Sequence, residues 1–480
     1  MGYYLLYNRS NNSNINKYNI NDFIKLCKED FKMFFDLDKI EIFAGVIKFS
    51  EIFFLVNIIL LLHFFISWRY EYKKSGVIFD YWTFFCILYI VIPIFLLYPF
   101  ASSDLNVIST RDEIKYIEQY VDQAYFISIL GYFFMCVGKK MCGSQYSLRL
   151  NVLERLVYKN LKAPNFYKII CIFLIISYVF LIILNIKYPE YSLNLRLIRF
   201  DNPLIGSVIN IITSLIYFFI IVCGLKCIEK KSTYRVVIFI LASSLTIIIG
   251  VRSILILPIA LLSIIYFILN REKIKKRNYM YIILLGIVLL LGTSLIRDAS
   301  FNEFNLFESI ILVLFQIFFG NTFSDLRDFS WVLTGFNDDF LLGKTYLSAI
   351  ISFIPSSILE FRESYKYGIV TNNFAGIGNW SNHLGLRMTI FGEIYLNFGY
   401  IGIIIFSTIM GYILSYTNNS FIKAIDNKKD IFLGYVKTLV FWIIGQSFIF
   451  NSSSFFVIYV FLLINLIGYI IRKKIFIKWR

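Results

Sequence analysis

The chain has 480 residues, 58% of them hydrophobic and 16% charged, with a formal net charge of +16 and a mean hydropathy of +0.69. Soluble globular proteins are about half apolar and about a quarter charged, so this composition argues against a soluble enzyme. The Lys and Arg side chains lie mostly in short loops beside long apolar runs, where they set membrane topology. That placement argues against nucleic-acid binding.

Apolar runs along the chain predict membrane-spanning helices, because a helix needs about 20 apolar residues to cross about 30 Å of hydrocarbon. Residues 1–48 form a polar N-terminal segment without the compact apolar region of a cleavable signal peptide. Residues 20–48 predict either an outer segment or an amphipathic helix on the membrane surface. The predicted spans are 49–67, 79–101, 122–138, 167–187, 204–226, 236–250, 254–269, 279–296, 391–416, 433–450 and 455–471.

The loops between these spans alternate between basic and non-basic, which orients the chain. The basic loop 271–277 and the basic tail after 471 fall on one side, which the positive-inside rule assigns to the cytoplasm. The sequence therefore predicts an all-α polytopic membrane protein of about 11 spans. Spans 1–8 occupy 49–296, one large outer loop occupies 297–390, and spans 9–11 with a basic cytoplasmic tail occupy 391–480.

The large outer loop contains two further apolar patches, at 306–320 and 345–359. Each is short or interrupted, the second by Pro355, so we expect helices that lie in the membrane interface or re-entrant segments. Two extra spans would leave the sidedness of the flanking loops unchanged, so that alternative stays open.

Arginines on the predicted outer side are the first candidates for a functional site. A guanidinium group is costly near the bilayer and grips a diphosphate with two hydrogen bonds, so such arginines are candidates for substrate binding. The alternative is that an arginine at the end of a span extends to the lipid headgroups. The candidate substrate-binding arginines are Arg196, Arg199, Arg252, Arg297, Arg327 and Arg387.

Polar residues at the start of the ninth span form a second candidate set. Glu393 lies just inside the apolar run, and Asn397 follows one turn later on the same helix face. The carboxylate could serve as a general base or bind a sugar hydroxyl, with Asn397 as a substrate-binding neighbour. The alternative for Glu393 is a capping role, since negative charge is favourable at a helix start.

Two further features of the outer loop could carry chemistry. His383 could act as a base, because histidine titrates near neutral pH, or it could be an ordinary hydrogen-bonded loop residue. Asp325 and Asp328 flank Arg327, and an ordinary salt-bridged turn is the favoured interpretation.

The motifs of soluble nucleotide-binding and metal-dependent enzymes are missing from the sequence. It contains no GxxxxGK[ST], HExxH or GxSxG, and its histidines are His63 and His383 only. We therefore predict no metal site and no cofactor.

The order GVRS–ILILP, SLIRD, NTFSDLRDFSWVL, GKTYLSAIISFIPSS and GEIYLNFGYIGIIIFSTIMG, over residues 245–415, resembles the bacterial oligosaccharide repeat unit polymerases. These are the Wzy-type polymerases of O-antigen (the polymer of lipopolysaccharide) and capsule. The resemblance implies a multi-pass inner-membrane enzyme with a GT-C-like fold and a metal-independent glycosyltransferase activity. Its substrate would be an oligosaccharide linked to undecaprenyl diphosphate.

The resemblance also implies that transfer occurs at the periplasmic face. We hypothesise that Arg252 and Arg297, helped by Arg196 and Arg199, hold the diphosphates and that Glu393 or His383 accepts the proton of the attacking hydroxyl. Membrane lipid would be a partner, and a chain-length regulator is a candidate partner. Nucleic acid would not be a partner. Some family members carry an Arg, ten residues, then Gly motif in their outer loops. Neither Arg196, Arg199 nor Arg297 has glycine at that offset.

Two other functions are compatible with long spans and outer arginines. An O-antigen ligase transfers finished polymer to a different acceptor and also has a large outer loop. A lipid-linked oligosaccharide flippase usually shows two similar halves with short loops, and no internal repeat is apparent here. The GEIYLNFGYIG segment favours the polymerase.

Overall fold

The computed structural model describes residues 51–101, 114–145, 147–191, 195–230, 232–250, 253–271, 323–354, 358–377, 385–428, 430–444 and 455–478. All regular elements within these ranges are helical, as the sequence predicts. The principal helices are α1 (Glu51–Ser75), α2 (Tyr81–Leu96), α3 (Ile114–Cys142), α4 (Val152–Lys162), α5 (Pro164–Lys187), α6 (Pro203–Glu229), α7 (Thr233–Ile249), α8 (Ser253–Leu269), α9 (Asp325–Thr334), α10 (Lys344–Ile350), α11 (Glu360–Ser364), α12 (Tyr367–Phe374), α13 (Gly392–Lys428), α14 (Ile431–Ile444) and α15 (Phe455–Lys478).

Each predicted span within the described ranges coincides with a helix, and the predictions for 1–48, 279–296 and 306–320 lie outside those ranges. Among the described residues, five helices are long and apolar enough to cross a membrane, and α2, α7, α8 and α15 contain shorter apolar stretches. The chain is thus a multi-pass membrane protein. The number of crossings and the GT-C-like architecture stay predictions. The five long stretches are Ile52–Lys73, Gln119–Cys142, Asn165–Lys187, Leu204–Glu229 and Gly392–Asn427.

Glycines bring the backbones of α3 and α13 into direct contact. A Cβ atom built on Gly138 would lie 2.0 Å from the carbonyl oxygen of Thr408, and one built on Gly411 would lie 1.9 Å from that of Met135. Small residues at membrane helix crossings let the backbones approach closely. Such close packing holds the helices together, because lipid chains supply no hydrophobic force that would do so. The α3–α13 crossing therefore depends on glycine from both helices.

α13 is broken at Gly399, whose backbone (φ 61°, ψ −155°) is not helical. A Cβ on Gly402 would lie 3.3 Å from Cγ2 of Ile394, and the rings of Phe398 and Phe406 stack with centroids 5.2 Å apart. In a straight helix, residues eight positions apart are separated by about 12 Å along the axis. Residues 392–398 therefore fold back against the long part of α13, and we call them the re-entrant segment.

The chain consequently passes along α3 twice. Before the break, the ring of Phe391 lies against Gly131 and the Tyr395 hydroxyl lies 3.5 Å from Nε2 of Gln123. After the break, α13 runs back along α3 from the level of Phe126 toward Gly138.

The level of the re-entrant segment follows from these contacts. Gly131 is near the midpoint of the apolar stretch Gln119–Cys142, so this segment begins about halfway through the bundle. The sequence predicted one continuous span over 391–416. The structure has a helix there with a break at Gly399, a turn that hydropathy does not register.

Short helices of the large loop pack around the re-entrant segment. The ring of Phe329 on α9 contacts both Gly392 and the Tyr395 ring. α10, which contains the first residues of the 345–359 patch, has seven residues and a length of about 10 Å, too short to cross a membrane. The loop thus encloses residues that hydropathy would assign to the lipid.

Candidate functional site

Glu393 is buried at the start of the re-entrant segment, with 1% of its surface exposed. Its Oε1 accepts a hydrogen bond of 2.7 Å from the hydroxyl of Thr345 on α10. Asn397, one turn further along, is fully enclosed and donates from Nδ2 to the Thr345 hydroxyl oxygen at 2.8 Å. An ionisable side chain at membrane depth is costly and needs such partners, so this network is the first part of the candidate site.

The direction of each hydrogen bond in this network follows from which atoms can donate. The backbone N–H of Gly343 lies 3.0 Å from Oδ1 of Asn397, which leaves the amino end of that amide facing Thr345. Since an amino group only donates, the Thr345 oxygen accepts from it and directs its own proton to Glu393. The carboxylate oxygen is therefore an acceptor in this network.

The loop before α10 also holds the end of the re-entrant segment. The backbone N–H of Leu341 donates to the carbonyl of Leu396 at 2.9 Å, and that of Leu342 donates to the carbonyl of Asn397 at 3.0 Å. The last carbonyls of a helix have no partner within it, so these bonds replace those that a continuous helix would make.

A second cluster lies at the start of α9. Asp325 Oδ1 is 3.8 Å from Nε of Arg387, and the two side chains are 19% and 49% exposed. In the same turn, Arg327 donates from Nε and Nη2 to Oδ1 of Asp328 at 3.1 and 2.8 Å, while Ser324 donates to Oδ2 at 2.9 Å. The Arg327–Asp328 pair is nearly enclosed, whereas the Asp325–Arg387 pair is open on the arginine side.

Tyr367 on α12 is a neighbour of both clusters. Its buried hydroxyl accepts a hydrogen bond of 3.1 Å from the backbone N–H of Met388, next to Arg387. Burial raises the pKa of Tyr367, and the charges of Glu393, Asp325 and Asp328 raise this pKa further. Charges of both carboxylate clusters therefore act on the same phenol, which links the clusters into one candidate site.

The structure brings Glu393, Asn397, Arg327 and Arg387 of the predicted set into this region. Arg196 and Arg199 belong to the short helix Leu195–Phe200 before α6, and their side chains lie outside what the structure describes. Arg252, Arg297 and His383 also lie outside the described residues, so their roles stay predictions. Within the described ranges, no group of three or more His, Cys, Asp or Glu side chains could hold a metal ion.

Two residues and one pairing in the site carried little signal in the sequence. Thr345 is an unremarkable residue of an apolar patch, and Tyr367 is one of 34 tyrosines. Asp325 is 62 positions from Arg387, so only the folded chain shows that they meet. The DLRD sequence around Arg327 was the one available signal, and it indicated the Arg327–Asp328 pair.

A family model described as O-antigen polysaccharide polymerase Wzy matches residues 34–476 of the chain. No curated protein and no solved structure matches the chain significantly. The matched range includes every helix of the candidate site, from α3 to α13.

Proposed function

Because the chain belongs to the O-antigen polysaccharide polymerase Wzy family, we propose that it joins repeat units carried on undecaprenyl diphosphate into O-antigen or capsular polysaccharide. The family match over nearly the whole chain is the observation that carries this proposal. The alternation of basic loops supports a reaction at the periplasmic face of a bacterial inner membrane. A chain-length regulator is a proposed partner.

In the proposed reaction, the growing chain moves from its lipid carrier to a hydroxyl of the incoming unit. The bond between the sugar carbon and the carrier diphosphate breaks, a bond between that carbon and the acceptor oxygen forms, and the acceptor hydroxyl loses its proton. The leaving diphosphate gains negative charge, which fixed cations stabilise. Since guanidinium groups can supply that charge, we propose that the transfer needs no metal ion.

Arg387 is the described arginine best placed to hold the diphosphate. Its side chain is 49% exposed, whereas that of Arg327 is 14% exposed and bonded to Asp328. We propose that the outer arginines of the sequence prediction complete the diphosphate site, and that Arg327 shapes α9. These further arginines are Arg196, Arg199, Arg252 and Arg297.

Glu393 and Asn397 are enclosed by α10 and the loop before it, with no more than 1% of either residue exposed. A general base must come within about 3 Å of the oxygen whose proton it removes, and at Glu393 the Thr345 hydroxyl already occupies such a position. We therefore propose that both residues fix the re-entrant segment against α10. His383 lies outside the described residues, so its role as a base stays a prediction of the sequence alone.

Deleting the gene from its source bacterium tests the function directly. We expect surface glycans with single repeat units, and we expect the cloned gene to restore long chains. An accumulation of long, lipid-linked polymer in the deletion strain would instead identify a ligase. A loss of all repeat units from the outer side would identify a flippase.

The sidedness of the large loop is a separate prediction. In a cysteine-free variant, Lys366→Cys should react with a membrane-impermeant maleimide in intact cells stripped of their outer membrane, because this side chain is 57% exposed. Arg155→Cys should react only after the cells are broken. Arg155 lies on the exposed face of α4, in the loop between predicted spans 122–138 and 167–187, which falls on the same predicted side as loop 271–277. The reverse pattern would contradict a periplasmic site.

A further inference from the structure

Asp325 differs from the other two carboxylates of the site in its access to substrate. The Asp325 side chain is 19% exposed, and its Oδ1 lies 3.8 Å from Nε of the half-exposed Arg387. Asp328 is 5% exposed and bonded to both Arg327 and Ser324, and Glu393 is 1% exposed and bonded to Thr345. Asp325 is therefore the described carboxylate of the site that a sugar hydroxyl can approach together with an arginine.

Resting on the proposed polymerase function, we propose that Asp325 is the general base that removes the proton from the acceptor hydroxyl. The acceptor oxygen then bonds to the sugar carbon at the diphosphate end of the growing chain, and the carbon–oxygen bond to the carrier breaks. The proton stays on Asp325, and the electron pair leaves with the diphosphate, which Arg387 holds. The next turnover requires that the proton pass to solvent.

The electrostatics of Asp325 suit this role. The pKa of Asp325 is raised to about 6, because burial raises it more than the charge of Arg387 lowers it, with smaller contributions from Asp328, which raises it, and Arg327, which lowers it. Burial also raises the pKa of Tyr367 on α12, so this phenol does not compete with Asp325 as a base near pH 7. A base with a pKa slightly below the working pH is ionised and still basic enough to take a proton, which is the most effective compromise.

The Asp325→Asn variant is expected to fold. The pKa of Asp325 is higher in the folded chain than its ordinary value of 3.8, so folding favours the protonated form. This contribution to stability is fully present below pH 3.8 and is lost as the pH rises through about 6. Asparagine resembles the protonated form, so the variant should melt no lower than wild type at pH 8.

The test uses full-length protein in lipid vesicles and the lipid-linked repeat unit extracted from a strain that lacks the gene. For wild type, we expect the initial rate of chain formation to fall about tenfold per pH unit below pH 6. We call this fall in rate at low pH the acid limb of the pH profile. Asp325→Asn should lower the rate at pH 8 by about 10²–10⁴-fold and remove the acid limb. Arg387→Gln should move the limb to higher pH, because it removes a charge that opposes protonation.

Glu393→Gln is the matched comparison, since it neutralises a second carboxylate of the same site. We expect its acid limb to stay at about pH 6. A wild-type rate and limb in Asp325→Asn would overturn the inference, as would a limb lost from Glu393→Gln and kept in Asp325→Asn. In both cases the wild-type protein still makes chains, so the polymerase function would stand. If wild type makes no chains, the function itself fails.

Discussion

Replacing Gly399 with valine is expected to lower the rate of polymer formation at least tenfold and the free energy of unfolding by about 2–4 kcal/mol. At φ 61° and ψ −155° the backbone adopts a conformation that residues other than glycine rarely reach. A Cβ atom there would also lie 3.0 Å from the Phe340 ring. The variant would straighten the turn and displace the re-entrant segment, together with Glu393. The measurements are the thermal midpoint in detergent and the rate of chain formation in vesicles.

Gly76→Val is the matched control for this prediction. Gly76 also has a positive φ, of 70°, but nothing lies within 4 Å of a Cβ built there, and it follows α1 far from the site. The Gly76→Val variant therefore introduces backbone strain at a positive φ but does not disturb the packing of the re-entrant segment. We expect this variant to keep most of the activity. Equal losses in the two variants would show that the turn at Gly399 has no special role.

Replacing Arg387 with alanine is expected to reduce chain formation by about 10²–10³-fold, the usual effect of removing one group that stabilises charge in a transition state. Its side chain is the most exposed of the described site arginines, and the nearest carboxylate, on Asp325, is at 3.8 Å. Arg387→Lys should recover only part of the activity, because an ammonium group cannot make two parallel bonds to a diphosphate. The initial rate with saturating lipid-linked substrate is the measurement.

Arg155→Ala provides the comparison for Arg387→Ala. Arg155 lies on the exposed face of α4 and donates a long hydrogen bond of 3.5 Å to the carbonyl of Leu150. Removing it takes away the same charge from the protein without touching the site, so the rate should stay at the wild-type level. A wild-type rate for Arg387→Ala would remove this arginine from the diphosphate site.

The helices of the bundle were predictable from the sequence, because long apolar runs have few other stable structures. α5 is predicted at 167–187 and observed at Pro164–Lys187, and α6 is predicted at 204–226 and observed at Pro203–Glu229. Hydropathy locates the apolar centre of a helix but not its polar ends. α3, for example, extends beyond the predicted 122–138 to Ile114–Cys142.

The internal arrangement of the site was not predictable in the same way. The turn at Gly399 depends on donors from Leu341 and Leu342, which are more than 50 positions earlier in the chain. Asp325 and Asp328 look equivalent in the sequence, yet one is enclosed with Arg327 and the other is partly open beside Arg387. Which carboxylate keeps access to substrate is decided by tertiary packing, and no local pattern encodes it.

The bonds between the loop before α10 and the re-entrant segment also constrain how the protein is made. A ribosome synthesises residues 341–343 before residues 392–398, so the N–H donors are present when the carbonyls of Leu396 and Asn397 emerge. An insertion apparatus that responds to hydrophobicity would first admit the whole of α13 as a straight rod. We therefore expect the bend at Gly399 to form after integration, and a protease should cleave nascent chains halted before it more readily than the finished protein.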